Sequence, residues 1–435
     1  MKTVHALIAS IIFLIFSSIT KSTYGQEQVM TYEDYIRFAA ASKEEIDVFL
    51  NENTWAQFDP DVGYILGNFA PHDGWDNSKT ISTVRKDGAR TSFTYTERPC
   101  RINTYGNSFT QCHQVNDAET WQEYLAGHLG EPIRNFGMGG FGVNQAYRRM
   151  LREEGTDNAA EYIMLYIWGD DHIRTLLLCR YALTKQWRIT QDKKEGVGTM
   201  FHGNFWPNIE MNMKTGMLEE HESRIRTPEK LYQMTDPNWM WENLKDDLAL
   251  QMYLFKQGKI TDIDLRKMKK LAGYLEAEFN PDAENLPTEI GKLLNSYAYA
   301  ATRYILQRTR EFSDENNKKL MVVLFDPYGA MQQLLKGEPR IDQEIVDFLE
   351  KGDFNYFDMN LVHVEDYKNF NLSIEEYYKR YFVGHYNPHG NHFFAYSIKP
   401  RVVEWLDPKP FTYQVGDTES IDFNGYLEGV DEIGK

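Results

Sequence analysis

A serine that attacks a carbonyl needs an imidazole beside it to take its proton, and N–H donors to receive the charge that forms on the carbonyl oxygen. Ser108 has the setting for this, in the run Tyr105-Gly106-Asn107-Ser108-Phe109-Thr110: an apolar approach from Ile102, a glycine, a short polar side chain and then the hydroxyl. A histidine-rich run, Gly384-His385-Tyr386-Asn387-Pro388-His389-Gly390-Asn391-His392, could supply the base. Gly137-Met138-Gly139-Gly140 could supply backbone N–H groups, and Trp168-Gly169-Asp170-Asp171 supplies two carboxylates. Acyl transfer is one chemistry open to these residues. Acid–base cleavage of a glycosidic bond, or elimination from a uronic acid, through Asp170, Asp171, His172 and His385 is another. Adjacent residues of an extended segment point opposite ways, so one of the two aspartates is expected to face the site. His385, His389, His392, Asp170 and His172 are also metal-ligand types, but Pro388 and Gly390 interrupt the helix that would align the histidines. No metal ligand and no cofactor are assigned.

The elements that must place these residues alternate between strand and helix patterns. Ile102 to Tyr105 is a strand leading to Ser108. Trp121, Leu125 and Leu129 form the apolar face of a helix closed by Gly130. Ile133 to Phe136 is a strand, Gly137 to Gly142 a loop, and Val143 to Glu154 a helix. Glu161 to Trp168 and Leu320 to Phe325 are nearly all apolar, as strands buried on both faces of a parallel sheet are, and Tyr356 to Val364 is a weaker strand. Strands separated by helices predict an α/β fold with helices on both faces of the sheet. Residues 26–100 form an extension, helical over Tyr32 to Asn51, then loops and short strands such as Thr80 to Val84 and Thr91 to Tyr95. Residues 184–318 are a large mixed insertion, strand-like and then helical, suited to shaping the substrate site. The sheet domain is thereby split into 101–183 and 319–406, and 407–435 is an acidic tail.

Composition narrows the partners. With 64 acidic against 47 basic side chains the net charge is -17, which excludes nucleic acid as a partner on electrostatic grounds. Lys2, the apolar run Ala6 to Phe16 and small residues up to Gly25 have the order of a signal peptide over residues 1–25, so a periplasmic or secreted protein with no membrane span after its removal is expected. Export makes a Cys100–Cys112 disulfide expected, bracing the serine's approach, while Cys179 lies in an apolar run and reads as a buried, inert thiol.

Four stretches, Tyr105 to Thr110, Asn135 to Gly140, Trp168 to Asp171 and Gly384 to His392, resemble the four blocks of the SGNH (GDSL-type) hydrolases, in that family's order. The resemblance covers 101–183 and 320–406. It implies a flavodoxin-like three-layer sandwich around a central parallel sheet, with Ser108 as nucleophile and His385 as its base. The backbone amides of Ser108 and Gly140, with a third donor at position 170, would form the oxyanion hole, while Asn107 supports the turn and Asp171 adjoins the site. The chain departs from the family's pattern at three positions. It has Asn107 where the family has Asp, Asp170 where the family has Asn, and Val383 where the family has an Asp shortly before the histidine. An ionised Asp170 beside a developing oxyanion would oppose it, and the acid that normally orients the histidine is missing. The resemblance implies a hydrolase that removes acyl groups, acetyl foremost, from a carbohydrate, with Trp168, Trp206 and Trp239 available to stack on sugars. The alternatives are a glycosidase or lyase on the same scaffold, and a glycan-binding relative without chemistry.

Overall fold

The computed structural model describes residues 29–52, 54–183 and 203–414. The expected signal peptide, the whole 184–202 stretch of the insertion and most of the acidic tail lie outside them. Five strands make the central sheet: β3 (Ile102–Tyr105), β4 (Ile133–Asn135), β5 (Tyr162–Ile167), β8 (Lys319–Leu324) and β9 (Tyr356–Asp358). Their order is β4-β3-β5-β8-β9 and every pairing is parallel. Two antiparallel hairpins stand apart, β1 (Ala56–Asp59) with β2 (Gly63–Leu66) and β6 (Asn208–Met211) with β7 (Leu218–His221).

The all-apolar β5 is buried along its whole length, and its side chains divide by alternation between two cores. Ile163, Leu165 and Ile167 join one core, which takes in Leu293, Tyr297 and Ala301 of the 30-residue helix Leu286–Glu315 and Val143 and Met150 of Val143–Glu153. Tyr162, Met164 and Tyr166 join the other, with Trp121, Leu125 and Leu129 of Trp121–Leu129 and Phe394, Ile398 and Val402 of Pro388–Trp405. Each fully buried aliphatic or aromatic side chain contributes about 1.5–3 kcal/mol, so a strand apolar on both faces holds helices on both. The α/β expectation is met as a five-strand parallel sheet flanked by helices. Gly130 closes Trp121–Leu129 in the left-handed conformation, at φ 74°.

In chain order the sheet strands lie 2-1-3-4-5, so the order reverses between β3 and β5. Loops leaving the carboxyl ends of those two strands diverge there and open a crevice. Ser108 follows β3 and Asp170 follows β5, which places both at that crevice.

Three local expectations change. Tyr356 to Val364 is a strand only to Asp358. The Asp358 carboxylate accepts from the Asn360 N–H and starts the helix Met359–Tyr367, a cap that prevails over the apolar run. Thr80 to Val84 carries isolated bridges at Ser82 and Val84 in place of a strand, and Thr91 to Tyr95 forms neither strand nor bridge. The helix Leu286–Glu315, expected within the insertion, is the element that leads into β8 and covers the sheet. The helices Tyr32–Phe38 and Lys43–Asn51 form as expected, capped by Thr31 and Ser42.

All three cysteines are free thiols, so the expected Cys100–Cys112 disulfide is not formed. The two sulfurs lie at opposite ends of the β3 segment and point to different partners. Cys100 Sγ faces the carbonyls of Ile102 and Pro132, whereas buried Cys112 ends the short helix after Ser108 and faces Gln122 Oε1 at 3.2 Å.

Candidate active site

At the end of β3 the chain must turn within one residue, and Gly106 makes this possible. Any Cβ there would lie 2.3 Å from Thr110 Oγ1 and 2.8 Å from the Tyr166 carbonyl, at φ 154°. Asn107 then caps the short helix Ser108–Gln111, its Oδ1 accepting from the Phe109 N–H at 2.8 Å. Ser108 stands at the first position of that helix and is 7% exposed. Its Oγ lies 2.7 Å from His385 Nε2, joining residues 277 apart in sequence.

His385 is oriented by an amide. Gln114 Oε1 accepts from the ring nitrogen Nδ1 and from the His385 backbone N–H, each at 2.9 Å. The Gln114 NH2 donates in turn to the Asp73 carbonyl at 3.0 Å, which fixes which way round the amide sits. An acceptor at Nδ1 requires the proton there, leaving the Nε2 lone pair to accept from the Ser108 hydroxyl. Gly384 is required beside it: at φ 111°, a Cβ would lie 2.7 Å from Gln114 Oε1 and displace the oxygen. Behind the amide, the Asp73 carboxylate meets His113 Nε2 at 3.2 Å, and the His113 ring packs 5.1 Å from that of His385. Burial, followed by the charge of His113, holds the His385 imidazole well below its ordinary range, against the pull of Asp73. Burial raises the Asp73 carboxyl, but the His113 hydrogen bond and charge, the Thr80 hydroxyl and the charge of His385 outweigh it and hold Asp73 below the usual carboxylate range.

The glycine loop is moulded to the nucleophile's helix. A Cβ at Gly137 would lie 2.2 Å from the Gln111 nitrogen, and the Gly139 N–H donates to Gln111 Oε1 at 2.7 Å. Gly140 has φ 84°. Among the described residues, neither the Ser108 N–H nor the Gly140 N–H donates a hydrogen bond, so both are free to serve an oxyanion.

The two aspartates separate, for a reason the extended-segment expectation missed. Gly169–Arg174 is a helix, and Trp168 to Asp171 forms its start. Asp171 turns inward, accepting from the Trp168 N–H at 2.8 Å, the Asn107 NH2 at 2.5 Å and Arg174 at 3.2 Å. Burial pushes its carboxyl up to about 7 against those donors. Asn107 and Asp171 thus form a buttress beneath the serine. Asp170 faces solvent, its side chain 60% exposed and paired with Arg174 at 3.3 Å. Its charge reaches Arg180 and, on the insertion's helix Leu248–Lys256, Tyr253 and Lys256. Arg180 Nη1 is buried without an acceptor, and a Cβ at Gly140 would lie 2.5 Å from it. Position 170 is therefore an anion offset by guanidinium groups, and not an amide donor.

The other expected residues disperse. The helix Pro388–Trp405 does form, with Pro388 in its first turn where no N–H is needed, but His385 precedes it. His389 packs against Trp75, His392 against Tyr124, and buried His172 hydrogen-bonds Thr302 Oγ1 at 2.9 Å. Among the described residues no three His, Cys, Asp or Glu side chains converge on a metal-sized site. Of the tryptophans that could stack on sugars, Trp206 is fully buried against Tyr64, Trp168 is buried, and half-buried Trp239 packs on Phe205 at the edge of the core.

Gln114, Asp73 and His113 escaped the sequence reading. None sits in a periodic pattern, and Asp73 comes from the extension, long before the serine. No protein-family model matches the chain, and no curated protein matches it significantly.

Proposed function

We propose that this protein is an exported, SGNH-like serine hydrolase of flavodoxin-like fold that removes acyl groups, acetyl foremost, from a carbohydrate. The observation that carries this reading is the 2.7 Å contact between Ser108 Oγ and a His385 ring whose other nitrogen is held by Gln114. Ser108 Oγ attacks the ester carbonyl carbon as His385 Nε2 takes its proton. The Ser108 and Gly140 N–H groups receive the oxyanion, and Arg174 and Arg180 offset the nearby charge of Asp170. The imidazolium returns the proton to the departing sugar alkoxide, leaving acyl-Ser108. Water, activated by the same imidazole, then releases the acid. The depressed pKa of His385 keeps it in the neutral form that a base needs across the neutral range.

The test is to incubate wild type and Ser108→Ala with acetylated xylo-oligosaccharides and identify the products by mass. Acetate release by the wild type is expected to fall roughly a thousand-fold or more in the variant, the usual cost of losing a covalent nucleophile. Chain cleavage or loss of water that persists in the variant would overturn the hydrolase reading in favour of a glycosidase or lyase.

A further inference from the structure

Among the described residues Trp75 is a tryptophan left exposed, and its loop is joined to the groups that orient His385. The ring is 41% exposed. Two residues before it, Asp73 gives its carbonyl to Gln114 and its carboxylate to His113, so the loop is part of the framework that orients His385. On the other side the Trp75 ring meets His389 edge-on at 5.7 Å, and His389 lies in the first turn of the helix that follows His385. Trp75 is thus tied to the catalytic histidine from both directions along the chain.

The loop is tight. The Gly74 N–H donates to the Ser78 carbonyl and the Ser78 N–H to that of Trp75, while the Thr80 hydroxyl holds Asp73 Oδ1 at 2.6 Å. Asp76 and Asn77 both adopt the left-handed conformation, at φ 53° and 57°. Aspartate and asparagine tolerate that conformation, so the turn closes tightly while the indole is left in water instead of in the core. A rigid turn presenting a large aromatic face, with the polar Asp76, Asn77 and His389 around it, suits a ligand with one apolar face and many hydroxyls. A pyranose ring has that character.

We propose that Trp75 is the stacking platform for the sugar that carries, or adjoins, the ester cleaved at Ser108. The proposal rests on the carbohydrate-esterase reading and names where its sugar is held, in place of the core-packed Trp168, Trp206 and Trp239.

The test compares wild type, Trp75→Ala and Trp75→Phe on acetylated xylo-oligosaccharide, p-nitrophenyl acetate and p-nitrophenyl hexanoate. In Trp75→Ala, kcat/KM for the sugar ester relative to p-nitrophenyl acetate is expected to fall roughly tenfold or more, mostly through KM, as when an aromatic anchor is truncated. Trp75→Phe, which keeps a flat apolar face, is expected to recover most of the ratio. An unchanged ratio overturns the proposal, and so does a selective loss on the hexanoate, which would make Trp75 an acyl-chain contact. Calorimetric binding of the deacetylated oligosaccharide to Ser108→Ala, with and without Trp75→Ala, separates the two levels of the argument. If no ester is cleaved the hydrolase reading fails, while equal sugar binding by both variants still overturns the platform.

Discussion

Replacing His385 with alanine is expected to lower kcat for p-nitrophenyl acetate roughly ten-thousand-fold or more, with KM little changed and thermal melting close to wild type. The imidazole acts on the proton of Ser108, which moves only in the transition state, so its removal costs rate and leaves ground-state binding nearly intact. Gln114→Ala gives the graded comparison. An amide can fix the tautomer and the ring plane but brings no charge to the imidazolium, so its loss is expected to cost about 10- to 100-fold, less than removal of an ionised partner. Gln114→Glu then exposes the difference in pH dependence. A carboxylate at that position favours the imidazolium and raises the pKa of His385, so the acid limb of kcat/KM moves to higher pH than in the wild type. An acid limb that stays put in Gln114→Glu would show that Gln114 does not face the ring in solution.

Asn107→Asp carries the largest expected cost in stability. The Asn107 NH2 is the 2.5 Å donor to Asp171, a side chain 2% exposed. The substitution restores the residue that the resembled family places there, yet in this chain it sets two carboxylates against each other in a buried site. A loss of about 3 kcal/mol at pH 8 is expected from chemical unfolding, the scale for a buried charge left without its partner. The pH dependence has a definite sign. The Asp171 carboxyl already sits at about 7, above its unfolded value, and a second carboxylate raises the pair further. Groups raised in the folded state bind protons more tightly there than in the unfolded chain, so their stabilisation is present at low pH and is lost as pH rises through the folded values. The deficit relative to wild type is therefore expected to shrink between pH 8 and pH 5. A deficit that grows on acidification would show that residues 107 and 171 do not face each other.

The residues that were legible in the sequence are those whose signal is local. The buried strands announced themselves by apolar runs, the helix Trp121–Leu129 by its four-residue spacing and terminal glycine, and Ser108 by the glycine turn before it. Pairing Ser108 with His385 across 277 positions came through the resemblance, because no local pattern links them. The orienting group was hidden for the same reason. The resembled family has an acid just before the histidine, where this chain has Val383, and the structure places against the ring a neutral amide, Gln114, held by a backbone carbonyl of the extension. Asp170 and Asp171 point different ways, as an extended segment would have them, but the cause is a helix start, where one turns to the buttress and the other to Arg174. Trp168 and Trp206, open in the sequence to either sugar stacking or the core, lie in the core, since neither composition nor spacing tells a core indole from an exposed one.

The covalent step is the centre of the account, and it can be read directly. Wild type mixed with p-nitrophenyl acetate, quenched in acid within the first turnover and digested, is predicted to carry one acetyl group on the peptide containing Ser108, with none in Ser108→Ala. An acetyl group on another residue, or steady release of acetate from wild type with Ser108 never labelled even when deacylation is slowed, would contradict it.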